Sequence, residues 1–173
     1  MDPEPISHTD VSLGRIPAGA SARRLCGFTV LELTFAIAVL IILAAIAIPA
    51  YRGYVERATI RGCVNDLLTI SMALESYRTL HGLRLPDSLD ELEHIPRTDP
   101  WGYAYRYLNF DSDTPGVKGK IRKDHNLHPL NSEFDLYSVG PDGKSVPPLT
   151  GKPSHDDIIF ARDGGFVGPA RDF

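Results

Sequence analysis

The chain has 173 residues, a formal net charge of −4 and a hydrophobic fraction of 43%. That length suits one modest domain with an appendage, and the acidic balance excludes a general nucleic-acid binder, which needs a basic face for phosphate. Two cysteines, Cys26 and Cys63, flank the main apolar stretch; one pair so placed makes no disulfide framework, and both read as unpaired thiols.

Residues 1–27, "MDPEPISHTDVSLGRIPAGASARRLCG", are punctuated by Pro and Gly and collect Arg15, Arg23 and Arg24 ahead of an apolar run. Basic residues on that flank hold it in the cytoplasm by the positive-inside rule, which sends the C-terminal part across the membrane. The run itself, "GFTVLELTFAIAVLIILAAIAIPA" from Gly27 to Ala50, contains 18 residues without a charge from Leu33 onward. At about 1.5 Å per residue these nearly match a ~30 Å hydrocarbon core. Three readings compete. An ordinary anchor leaves Glu32 as a boundary residue. A secretory signal peptide would be cut at the small residues Ala45 and Ala47, although the apolar part exceeds the roughly 7–15 residues usual there. The third gives Glu32 a function.

That third reading uses the most residues. Gly27 behind arginines, then Phe28, Thr29 and Glu32, then a long apolar helix ending at Pro49 and Tyr51, resembles the type IV prepilin signature. The resemblance implies that prepilin peptidase cuts between Gly27 and Phe28 and that Phe28 becomes the N-methylated first residue. It also implies that Glu32, then fifth in the chain, is an assembly contact. Thr34, Phe35 and Ala36 replace the family's more usual Leu and Val, and the leader is longer than many. Removing it takes three bases (Arg15, Arg23, Arg24) and three acids (Asp2, Glu4, Asp10) from totals of 18 and 22, so the remaining 15 and 19 still give −4.

From Tyr51 to His81 there is no proline, and Ile60, Val64, Leu67, Ser71, Leu74 and Tyr77 recur at helical spacing with Leu68 beside them. This stripe reads as a core face packed on a sheet, with Cys63 fitting in as a small hydrophobe. Gly82 and Pro86 supply the stop. A single helix from Phe28 to His81 would run roughly 80 Å. Its first half is too apolar for water and must lie in a bilayer or in a bundle of its own copies. Pro49 frees the carbonyl of Ala45, inviting a kink or local melting there.

Beyond the helix, Ser88 to Leu92 reads as one helical turn and Asp99-Pro100-Trp101-Gly102 as a turn. Tyr103, Tyr105 and Tyr107 alternate as a strand, Asp111 to Asp124 reads as a polar hairpin region, and Phe134–Gly140 and Asp157–Ala161 as two further strands. Such short connections favour an antiparallel sheet. The expected fold class is therefore α+β, a long N-terminal helix packed on a small C-terminal antiparallel sheet. Its segments are a leader (1–27), an apolar transmembrane and assembly helix (28–50), its amphipathic continuation (51–82) and a globular domain (83–173).

The blocks "DPWGYAYRY", "FDLYSVGPDGK" and "DDIIF" come in the order found in major pseudopilins of type II secretion systems, and this half is similar to that family. The resemblance implies a type IV pilin-like fold and a calcium ion held by Asp142, Asp156, Asp157 and the main-chain oxygen of Val139. The segment before Asp99 is shorter, and the loop from Asp142 to Asp156 longer, than the family pattern. Read from the residues alone, Asp142 lies in a Gly-Pro-Asp-Gly turn and Asp156 and Asp157 are adjacent. Such carboxylates repel unless a cation joins them, and calcium takes 6–8 oxygens at about 2.3–2.6 Å. The same residues also read as a surface turn and a solvated loop.

Other motifs fail. "DSDTPG" at Asp111 starts like an EF-hand, but its twelfth position is Arg122 where a bidentate Glu is required. "GKS" at Gly143 lacks the first glycine of a phosphate loop, since Ser138 stands there. His125 and His128 have no second ligand pair and read as a polar loop. Lys118 to Lys123, "KGKIRK", reads as a solvated hairpin, or as a contact with acidic neighbours in a filament. No nucleophile or zinc-protease motif occurs, so the chain reads as a building block and not an enzyme. The resemblance implies a periplasmic filament subunit anchored in the bacterial inner membrane, serving export of folded proteins through the outer membrane. Its partners would be copies of itself, minor pseudopilins, prepilin peptidase and the inner-membrane assembly platform. Two alternatives stay open. A pilin of an adhesive or DNA-uptake fibre often closes a C-terminal loop with a disulfide, whereas no cysteine lies beyond Cys63. A membrane-tethered calcium-binding module would not be cut at Gly27.

Overall fold

The computed structural model describes residues 27–112, 116–125 and 127–173. Residues 1–26 of the expected leader, with its three arginines and Cys26, lie outside these residues, as does part of the polar region before Asp124. The chain divides into two compact units, one ending at Ala44 and one comprising Ala45–Phe173. Helix α1, Val30–Leu80, contributes to both.

In the first unit the described chain is the start of α1. Thr29 caps it, since its hydroxyl oxygen accepts the Glu32 N–H at 3.2 Å while Glu32 Oε2 accepts the Thr29 N–H and hydroxyl, each at 3.3 Å. This reciprocal capping box satisfies donors that a helix start leaves unpaired. Every residue from Gly27 to Arg52 is exposed, and the helix is long and apolar enough to cross a membrane. The helix runs unbroken past Pro49, so the expected local melting at Ala45 does not occur. One missing N–H removes a single bond from a ladder whose neighbours stay intact.

In the second unit α1 buries Cys63, Leu67, Ile70 and Leu74, flanked by Ile60, Val64, Ala73 and Tyr77. The stripe is thus rotated from the expected one. Ile70 is buried, whereas Ser71 is only half-buried and Leu68 exposed. Cys63 is fully buried, and burial pushes its thiol up to about 11.

Four antiparallel strands make the sheet: β1 (Arg106–Asn109), β2 (Phe134–Ser138), β3 (Ile158–Ala161) and β4 (Phe166–Pro169), in the spatial order β1-β2-β3-β4. Leu136, Ile158 and Phe160 face α1 and share its core with Tyr105, Leu92 and Ile95. On the opposite face Ile159 and Ala161 join Leu130, Leu149 and Ala170, with Tyr137 and Phe166 packed alongside. β2, β3 and β4 thus contribute to both layers by simple alternation, while β1 adds Tyr107 to the α1 side.

Three expectations shift. The first strand starts at Arg106, not Tyr103, because Ala104 pairs locally with Thr98 and the Asp99 carboxylate takes the N–H groups of Trp101 and Tyr103. Asp99 is itself buried and accepts the Ser138 hydroxyl at 2.5 Å, which ties the Asp-Pro-Trp-Gly turn to β2. The expected polar hairpin holds a short helix, α2 (Val117–Lys120). β4 is additional; it is an edge strand, where Pro169 costs no ladder bond needed by a neighbour.

Candidate functional site

Two regions gather the residues singled out in the sequence. At the head of α1, Gly27 and Phe28 precede the capping box and are exposed, Phe28 to 87%. The Glu32 carboxylate sits at the surface in the first turn of the helix. A carboxylate in the first turn also complements the helix dipole.

The second region is the loop between β2 and β3. Val139 is buried at its start, and Gly140 turns the chain at φ +67°. A Cβ at Gly140 would lie 2.3 Å from the Asp156 carbonyl oxygen, so the two ends of the loop meet backbone to backbone there. Asp142 and Asp156 are brought together: the Asp142 N–H donates to Asp156 Oδ2 at 3.2 Å. The Asp142 carboxylate accepts the Lys144 N–H at 2.8 Å in a local turn.

Asp157 does not join them. Fully buried, it points Oδ2 at Arg122 Nη2 (2.6 Å) and accepts the Ser145 hydroxyl at 2.6 Å. Arg122 is 2% exposed. Its Nη1 donates to Ser145 Oγ, its guanidinium lies 4.1 Å over the Tyr137 ring, and its backbone N–H donates to Asp135 Oδ2 at 2.6 Å. Burial pushes the carboxyls of both Asp135 and Asp157 above the usual range, with Arg122 pulling each the other way. Among the described residues no group of three or more His, Cys, Asp or Glu is placed to hold a metal ion.

Arg122, Ser145 and Asp135 thus form a cluster with Asp157 that the sequence reading did not anticipate. Arg122 sits in "KGKIRK", read as solvated, yet the cluster buries it. One signal was present: Asp135 shares the β2 face of Tyr137, two residues on, and a buried acid on a strand calls for a base. Thr29 carried a clearer signal, since "TVLE" fits the capping-box spacing.

Comparison with known proteins separates the remaining family readings. No family model matches the chain, and no solved structure matches it. Among curated proteins, the type II secretion system core protein G of Aeromonas hydrophila is 31% identical over 144 residues, covering 71% of this chain and 87% of that protein. Its counterpart from Klebsiella pneumoniae is 30% identical over 152 residues, covering 76% and 91%. The chain belongs to the type II secretion system core protein G family. That of Pectobacterium carotovorum adds 29% identity over 150 residues. Core protein G is the major pseudopilin, and this chain has an α+β, pilin-like arrangement of one long N-terminal helix and a small antiparallel sheet.

Proposed function

We propose that the chain is a structural subunit of a type II secretion pseudopilus. Prepilin peptidase cuts between Gly27 and Phe28, and Phe28 is N-methylated. Residues 28–50 anchor the subunit in the bacterial inner membrane with the C-terminal domain in the periplasm. The subunit then polymerises, with minor pseudopilins and the inner-membrane assembly platform, into a filament that helps export folded proteins through the outer membrane.

The observation that carries this reading is the Gly27-Phe28…Glu32 signature at the head of an apolar, wholly exposed helix in a member of the core protein G family. Apolar side chains from Phe28 to Ile48 stand 40–87% exposed, a surface that water does not tolerate and that lipid or neighbouring copies cover. After cleavage Phe28 carries a positive N-terminus. The Glu32 carboxylate of one subunit then meets the N-terminal amine of a neighbour, and pairing relieves the cost of both charges in an apolar core. No chemistry is assigned to any side chain in this role; the subunit works by packing and register.

Mass spectrometry of the chain recovered from membranes tests the processing directly. A mature chain starting at N-methyl-Phe28 is expected. An intact leader on the membrane-bound protein would overturn the reading in favour of a tethered module.

A further inference from the structure

The loop that the resemblance assigns to calcium is built around a different cation. Calcium needs an oxygen cage, and its expected donors are arranged otherwise here. Asp142 Oδ1 accepts the Lys144 amide, and Asp156 Oδ2 accepts the Asp142 amide. Asp157 turns away from both, into the layer on the far side of the sheet from α1, where Arg122 and Ser145 share its Oδ2. A dication beside these carboxylates would also meet the fixed positive charge of Arg122.

Arg122 is installed rather than adventitious. Tyr137 supports its guanidinium face, Ser145 takes Nη1, Asp157 takes Nη2, and Asp135 holds its backbone N–H. The next residue pins the loop itself: the Lys123 N–H donates to the Pro147 carbonyl at 3.1 Å, and the Lys123 carbonyl accepts the Leu149 N–H at 2.8 Å. One side chain therefore contacts the middle of the loop (Ser145) and its end (Asp157), while its neighbour fixes 147–149. Ser154 closes the remainder, its hydroxyl bridging the N–H and carbonyl of Val146.

We propose that the Arg122 guanidinium, seated on Asp157, Ser145 and Tyr137, supplies the positive charge that closes the Gly140–Asp157 loop, so that this subunit folds its loop without calcium. A planar guanidinium presents several donors in a fixed fork and keeps its charge at every physiological pH. It binds two partners on one edge and stacks on an aromatic face, which a hydrated metal ion cannot do. The longer loop from Asp142 to Asp156 is consistent with this, because "VPPLTGKPSH" wraps around a side chain anchored from below instead of converging on one point.

The full chain in detergent, in EGTA and in millimolar calcium, decides the matter by thermal melting and amide hydrogen exchange. A ligand that binds only the folded chain must raise its melting temperature with concentration. Expected are one melting temperature for the wild type in both buffers and equal protection of the Lys144 and Val146 amides. Arg122→Gln should melt lower in EGTA and lose protection across residues 144–157. A wild-type melting temperature that rises with calcium overturns the proposal and leaves the family assignment untouched. So does an Arg122→Gln chain that melts and exchanges like the wild type. Should Arg122→Gln fail to fold, Arg122→Lys keeps the charge without the fork and is read by the same two measurements, alongside the wild-type comparison.

Discussion

Glu32 accepts the amide and hydroxyl of Thr29 while belonging to the expected contact between subunits, so Glu32→Ala removes a cap and a charge together. Glu32→Gln separates them. The amide oxygen still caps, as Gln does in capping boxes, but it cannot pair with an amine as a carboxylate does. Filament yield in sheared fractions should fall for Glu32→Gln as far as for Glu32→Ala, with membrane insertion intact in both; normal yield from the Gln variant would place the effect in the cap. Gly140 gives a second test. Its left-handed φ costs an alanine about 1–2 kcal/mol, and the added Cβ would meet the Asp156 carbonyl. Gly140→Ala should therefore lower stability by at least that amount, read as a drop in the thermal midpoint. Of the residues in this loop, Asp142 and Asp156 were legible from the sequence as neighbours. The inward turn of Asp157 was not, because it depends on Arg122, which arrives from 35 residues earlier and looks solvated within its own charge run.

Elements were legible where a period repeats and obscure where it does not. Fifty-one residues of α1 announce themselves, and β2 and β3 carry β-branched and aromatic runs between Gly, Pro and Asp. β4 reads "FVGP", four residues holding a glycine and a proline, and only its pairing with β3 makes it a strand. The phase of the α1 stripe was missed by part of a turn, since Leu68 and Ile70 are equally apolar and only the sheet chooses between them. Leu67 and Ile70 are both fully buried against that sheet. Truncating either to Ala should cost roughly 2–5 kcal/mol, whereas Leu68→Ala should cost far less. Denaturant midpoints of the three variants check the phase: equal losses at 68 and 70 would mean that α1 is seated differently.

On the scale of the whole molecule, the helix from Leu33 to Ala50 carries no charged side chain, and the second unit has an ordinary two-layer core. A chain whose apolar helix spans a bilayer should stay in the pellet when membranes are washed in alkaline carbonate; release into the supernatant would argue against a spanning segment. The family was readable from the sequence because its signature is local, whereas the far-side layer of the sheet was not, being assembled from Arg122, Leu130, Leu149 and Ala170 out of three separate segments outside the strands. Cys63 has a practical bearing on studying such an assembly. Shielded beneath Tyr105, with its thiol held mostly protonated, it is a poor target for oxidants and maleimides. If the leader is removed as proposed, Cys26 goes with it and the mature subunit presents no reactive thiol. Pairs of introduced cysteines then report which faces of neighbouring subunits touch, against a silent native background.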